Sequence, residues 1–445
     1  MQAETANANL SCEVLVIGGG PAGSTVAALL ARRGRRVLLL EKARHPRFHI
    51  GESLLPMNLP IFERLGVLDK VRAIGVHKNG AEFEASNARG YNTFDFVRSL
   101  GDTPTHAYQV LRQDFDAMLF AHAREAGVDA REAHDVMHVD QRGPRELLAR
   151  VRTPEGEVTV RAEYVVDASG RDTLLARTRK LLRRSRTHQS AALYAHYRGV
   201  ARRSGEEAGN IGIYRFEHGW MWLIPLPDDT MSVGAVCRPD YLKQRRGDRA
   251  AFLRDTLDRH PVVRERMRDA ALIDGSVHAA GNYAYDAARM GGPGWLLIGD
   301  AFAFLDPVFS TGVFLAMHGG ELAAEVVDRA LRDPVREARL QRRMERRLRA
   351  GMKRVAWFIH RFTSPSIRRM FRAPRNVLNV ERAVISMLAG DIFDNRRVHW
   401  RLRVFRWIHA GFVLTGLREW RAAQRDRRAQ VKRRFRETDD SAPAA

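Results

Sequence analysis

The chain has 445 residues, 45% apolar and 8% aromatic, ordinary values for a folded protein of two packed domains, which excludes wholesale disorder and fibrous repeats. Only Cys12 and Cys237 are present, too few for a disulfide framework or a cysteine-ligated metal, so no metal site is expected. The net charge is +22, but residues 331–445 hold 30 basic and 11 acidic residues, or +19 of it; a body of +3 is not built to bind a nucleic-acid backbone.

The opening residues MQAETANANLSCEVLVIGGG carry no basic region followed by an apolar stretch, and a cytoplasmic location is expected. The most apolar later stretch, Trp295 to Met317, is broken by Asp300 and Asp306, so no spanning helix is expected.

Val14 to Ile17 reads as a short buried strand. Gly18, Gly20 and Gly23 follow at once in the order GxGxxG, and then comes a small-residue helix, Ser24 to Arg33. Gly18 makes the turn, Gly20 lets backbone approach a pyrophosphate, and Gly23 lets the helix sit close on the strand. A second strand, Val37 to Leu40, ends in Glu41, where a carboxylate reaches a ribose hydroxyl. Strand, turn, helix and acid in register define a dinucleotide site. No second GxGxxG unit is present, so one bound dinucleotide is expected.

Further along, YVVDASGRD places Asp167 after an apolar strand, and GWLLIGDAFAFLDP places Asp300 at the end of another. With these motifs the sequence resembles the FAD-dependent monooxygenases of the p-hydroxybenzoate hydroxylase type. By that resemblance the dinucleotide is FAD, Asp167 belongs to its site, Asp300 contacts the ribityl chain, and Arg112 of LRQDFDAML lies near the cofactor. The alternative for Arg112 is a solvated charge at a helix start.

Three segments narrow the resemblance to the flavin-dependent halogenases over the chain from the first strand to about residue 393, in the branch that acts on phenols, pyrroles and carrier-bound aromatics. PRFHIGESLLP contains Gly51, Glu52 and Ser53, matching that family's flavin-side loop. GWMWLIP, with Trp220 and Trp222, reproduces its WxWxIP motif, and Lys78 in GVHKNGAEF stands at its catalytic lysine. The resemblance implies a wall of two indoles that keeps the organic substrate from the flavin while hypohalous acid passes to a separate pocket. On alternation alone the two tryptophans read as one face of a strand turned into a core. Lysine is rare here, seven against 67 arginines. A primary amine can hydrogen-bond hypohalous acid or form a haloamine, and burial would lower its pKa; the alternative is an exposed loop lysine.

By the same resemblance, backbone amides of Thr311 and Gly312 hold chloride or bromide at a helix start. Tryptophan-specific members carry a glutamate just before this Ser-Thr-Gly, and here the residue is Phe309. That departure points to an activated phenol or pyrrole, leaves the arene-side base unassigned, and has a plain alternative in which Phe309 is core.

The expected class is α/β, a Rossmann-like FAD-binding domain with an inserted β-sheet substrate domain and a C-terminal helical region. The expected division is FAD domain over 10–180 with an insertion near 76–105, substrate domain over 181–275, FAD domain again over 276–330, and a basic helical region over 331–445. Residues 331 to about 349 read as almost wholly polar helix. Near the C-terminus Trp400, Val404, Ile408 and Phe412 recur every four residues among arginines, as a stripe that packs on the body, lies on an anionic membrane at its inner face, or docks an acidic carrier protein. The expected partners are a separate flavin reductase that supplies reduced FAD, a small aromatic substrate, free or on an acyl or peptidyl carrier protein, halide and dioxygen. Two rivals stay open: a hydroxylase or reductase on the same fold, and a non-catalytic flavin-binding interaction protein.

Overall fold

In the computed structural model, residues 10–415 are described apart from 86, 185–189, 282–283, 363, 365, 368–369 and 371–376. They form two compact units. The first comprises the chain to Gly75, Val110–Arg183 and Tyr285–Met352; the second comprises Val76–Gln109, Arg184–Ala284 and the chain from Lys353.

The first unit is organised by a parallel sheet. Leu10–Ile17 lies between Val37–Leu40 and Gly156–Asp167, with Asp129–Arg131 beyond the former and Trp295–Leu297 beyond the latter. Val37–Leu40 and Trp295–Leu297 are apolar on both faces and buried at every residue, as expected of parallel strands covered on both sides. Helix Pro21–Ala31 packs closely with the 22-residue helix Thr311–Arg332. A methyl group on Gly320 of the second helix would lie 2.9 Å from the Ala22 carbonyl oxygen of the first, so the contact depends on bare backbone. The carboxyl ends of three adjacent strands deliver Gly18, Glu41 and Asp167 to one edge, and the strand Trp295–Leu297 leads there to Asp300. That edge is where open α/β sheets hold their ligands.

The second unit is a mixed sheet in the order Ala271–Leu272, Ala191–Arg198, Met231–Cys237, Gly219–Pro225, Ile211–Phe216, Gly80–Glu84, Tyr91–Asp95. Alternation gives it two different faces. Leu193, Met221, Leu223, Val233 and Ala235 form a core with Leu253 and Leu257 of helix Arg249–Leu257 and Val263 of helix Pro261–Arg266. Trp220 and Trp222 point to the other face.

The C-terminal region differs from expectation in two ways. The polar helix is not part of a separate region: helix Glu337–Ile359 begins in the first unit and ends in the second. Its buried row, Gln341, Met344, Leu348 and Val355, is spaced for one helical face. Gln341 Nε2 donates to Tyr164 Oη at 2.7 Å and to the Gly292 carbonyl at 3.0 Å. The many arginines on its other faces hid that row.

Helix Arg396–Thr415 buries Val398, Leu402, Phe405 and His409, whereas Trp400 and Phe412 are exposed. The expected stripe was wrong because a four-residue repeat drifts about 40° around the helix at each step, while spacings of four, three and four stay on one face. Residues 416–445 lie outside the described part of the chain.

Candidate active site

The glycine-rich turn is set by close backbone contacts. Gly18 has φ +102°, and a methyl there would lie 2.5 Å from the Ala168 carbonyl oxygen. A methyl on Gly23 would lie 1.9 Å from the Gly18 carbonyl oxygen. Gly20 is open, with only Arg47 Nη2 within reach of an added methyl, at 3.7 Å. It caps helix Pro21–Ala31, which has no side-chain cap and no acid in its first turn, leaving backbone N–H groups for an anion.

Glu41 is buried; its Oε2 accepts from Gly19 N at 2.7 Å and its Oε1 from Ala43 N at 3.0 Å. A carboxylate offers about four acceptor positions, so it can fasten the turn and still receive ribose hydroxyls.

Arg112 is no solvated charge. It is buried at the start of helix Arg112–Glu125, grips both oxygens of Asp116 at 2.8 and 2.9 Å, and donates to the Ile50 carbonyl at 2.9 Å. That last bond holds the loop of Gly51, Glu52 and Ser53. Gly51 has φ +107°, and a methyl on it would meet Arg112 Nη1 at 3.0 Å; Glu52 and Ser53 are buried beside it in sequence.

The two aspartates differ. Asp167 is fully buried, and its oxygens accept from Ser169 N at 2.9 Å and Leu175 N at 2.7 Å, which makes it the pin of the turn after its strand. Asp300 is half-buried, and its carboxylate has no hydrogen-bond partner among the described residues. Burial raises its pKa to about 6, with Arg112 and Arg171 pulling the other way. A carboxylate placed so accepts a hydroxyl donor. These features together fit FAD: an open amide turn for pyrophosphate, an acid for ribose, and an acid with spare acceptors for the ribityl chain.

Downstream, Phe309 is buried and Ser310 adopts φ +54° before helix Thr311–Arg332. That helix has no side-chain cap and no acid in its first turn. Thr311 is buried and Gly312 exposed, with nothing within 4 Å of an added methyl. The helix start therefore presents unpaired amides and positive potential on an open side.

In the second unit Lys78 ends the strand Gly75–Lys78 and is 1% exposed, so the loop alternative is overturned. Its Nζ lies 5.3 Å from the centre of the Phe96 ring, and burial lowers its pKa to about 7. Trp220 and Trp222 are buried with ring centres 5.7 Å apart at 46°. Both lie on the sheet face opposite the helix-packed core, which Met221 and Leu223 occupy instead.

Three neighbours of Trp222 escaped the sequence reading. Its Nε1 donates to Ser232 Oγ at 3.2 Å, Tyr194 lies 6.0 Å away between ring centres, and Gly234 stands opposite it in the adjacent strand. The signal was present in MSVGAV, where a glycine interrupts an otherwise regular strand.

The family described as FAD binding domain matches residues 11–357. A tryptophan 2-halogenase of Chondromyces crocatus is 34% identical over 395 residues, covering 86% of this chain and 74% of its own. A 1H-pyrrole-2-carbonyl-[peptidyl-carrier protein] brominase of Pseudoalteromonas luteoviolacea is 36% identical over 326 residues, covering 72% of this chain and 78% of its own. Among solved structures, the myxobacterial chondrochloren halogenase superposes with a TM-score of 0.75 at 33% identity, covering 89% of this chain and 96% of that one.

The chain thus belongs to the flavin-dependent halogenases, enzymes that use FAD, halide and dioxygen to halogenate aromatic substrates. No helix among the described residues is long and apolar enough to cross a membrane.

Proposed function

We propose that this enzyme installs chlorine or bromine on an electron-rich phenol or pyrrole ring, with Lys78 as the halogen carrier. The observation that carries this reading is the enclosed amine: a lysine 1% exposed, with its pKa lowered to about 7, is neutral in part at working pH and so nucleophilic. FAD, reduced by a separate flavin reductase, supplies the electrons with which dioxygen converts halide to hypohalous acid. Thr311 and Gly312 amides hold the halide before oxidation. Trp220 and Trp222 keep the organic ring from the flavin, so that oxygen is not transferred to carbon. At Lys78 an N–H is exchanged for N–halogen with release of water; the arene then takes the halogen and its displaced proton returns to the amine.

Buried Phe309 offers no carboxylate to remove that proton, which favours rings activated enough to lose it without a carboxylate base. The test is a panel of phenol, pyrrole-2-carboxylate and tryptophan with reductase, FAD and bromide. Brominated phenol or pyrrole should form at least about tenfold faster than bromotryptophan; preferred bromination of tryptophan would overturn the substrate assignment.

Helix Arg396–Thr415 supports a carrier-bound substrate. Trp400 and Trp407 are 41% and 78% exposed, one heptad apart, with exposed Arg396, Arg397 and Arg403 beside them and no acid in the helix. Such a face suits an acidic carrier protein. Replacing both tryptophans by alanine should raise KM for a carrier-loaded pyrrole about tenfold and leave turnover of a free arene unchanged. Unaltered KM would reject carrier docking there, and tryptophan-dependent flotation with anionic vesicles would assign the face to a membrane instead.

A further inference from the structure

The orientation of Trp222 is imposed from the neighbouring strand. Trp222 of Gly219–Pro225 stands opposite Gly234 of Met231–Cys237, and Ser232 lies two residues away on the same face. The indole bends across that strand, so that a methyl on Gly234 would lie 2.4 Å from both Cη2 and Cζ2 of the ring and 2.7 Å from Tyr194 Cβ. Gly234 is absent from the residues with positive φ. The glycine is therefore required for room and not for backbone conformation, and the room it leaves is filled by the six-membered ring of Trp222. At the other end of the slot the buried Nε1 donates to Ser232 Oγ at 3.2 Å. Sterics fix where the ring lies and the hydrogen bond fixes which edge faces the strand.

We propose that Gly234 and Ser232 are positioning residues for the indole screen, setting how completely Trp222 keeps the organic ring from the oxidising centre. The inference rests on the assignment of the two tryptophans as that screen. Gly234→Ala puts a methyl where the ring lies and forces the indole off the strand. Ser232→Ala leaves the space but removes the acceptor, stranding a buried N–H. Neither residue belongs to the unit that carries the glycine-rich turn, so FAD affinity should not change.

The experiment compares Gly234→Ala, Ser232→Ala, Ser232→Thr and Trp222→Phe for product composition, FAD affinity and apoprotein melting temperature. In Gly234→Ala the ratio of oxygenated to halogenated product should rise about tenfold. The rise should be about threefold in Ser232→Ala and reversed in Ser232→Thr, which restores a hydroxyl. Phenylalanine lacks the ring atoms that the added methyl meets, so Trp222→Phe should restore part of the melting temperature lost in Gly234→Ala, the 2.7 Å approach to Tyr194 Cβ remaining. Should Gly234→Ala fail to fold, Ser232→Ala against Ser232→Thr carries the test.

If Trp222→Phe changes the product ratio but Gly234→Ala and Ser232→Ala do not, the positioning inference is wrong and the screen stands. If Trp222→Phe and Trp222→Ala both leave the ratio unchanged, the screen itself is wrong. Equal melting losses in Gly234→Ala with and without Trp222→Phe would also overturn the inference, since the ring would then not occupy the slot.

Discussion

Lys78→Met should abolish arene halogenation, by a factor on the order of a hundred to ten thousand, while FAD binding and halide oxidation persist. The side chain is enclosed, and burial alone lowers its pKa from 10.5 to about 7, so its neutral fraction climbs steeply across neutral pH. Halogen transfer should accordingly increase with pH through about 7 in the wild type. Lys78→Arg should not restore it, because guanidinium keeps its proton throughout this range.

Stability gives an independent check with a defined sign. The unfolded chain holds the lysine proton up to pH 10.5 and the folded chain releases it above about 7. Between those values the unfolded state binds more protons, so this group's contribution to stability rises with pH across that window. Below it, the full cost of enclosing an ammonium is present. Lys78→Met should therefore raise the melting temperature most at and below pH 7, with a gain that fades toward pH 10.5. Undiminished halogenation in Lys78→Met, measured by product mass, would end the assignment of this amine.

Gly23→Ala should eliminate FAD binding, whereas Gly20→Ala should weaken it with little effect on folding. At Gly23 the added methyl meets a backbone oxygen of the same turn at 1.9 Å. A carbonyl cannot swing away as a side chain can, so either the turn opens or the helix lifts from the sheet. Overpacking of this kind costs about 1–3 kcal/mol, and it lands on the element whose amides hold the pyrophosphate. At Gly20 the protein leaves room, since only the Arg47 guanidinium is within 4 Å; the methyl would instead occupy the space through which phosphate reaches the backbone. Fluorescence titration of FAD alongside apoprotein melting separates the two. Gly23→Ala should lose both affinity and several degrees of melting temperature, and Gly20→Ala should lose affinity by about tenfold with melting retained. Wild-type affinity in Gly23→Ala would place the dinucleotide elsewhere.

What the sequence made legible was local. The glycine turn, its two flanking strands and Glu41 follow one another within a few tens of residues, and Gly18 and Gly23 are required by backbone contacts one strand or a few residues away. Burial was not legible. Lys78 precedes Asn79 and Gly80, a turn-like context, yet the fold closes around its whole side chain. For Arg112, a place near the cofactor and a solvated helix start are separated only when Asp116 and the Ile50 carbonyl are brought to it. Alternation put Trp220 and Trp222 on one face but could not say which; only the helices packed against Met221 and Leu223 decide that. Gly234 carries a long-range instruction, since its reason is an indole on another strand. In helix Arg396–Thr415 the aromatic residues suggested the wrong face because the truly buried row includes His409, which a hydrophobic count passes over.

The most direct test of carbon–halogen bond formation supplies the purified chain with FAD, a flavin reductase, NADH, dioxygen and a phenol or pyrrole, with and without bromide, and reads product mass. Formation of a singly brominated arene with its paired isotope signal, strictly dependent on added halide, is the expected result. An oxygenated arene that forms equally well without halide would contradict the account.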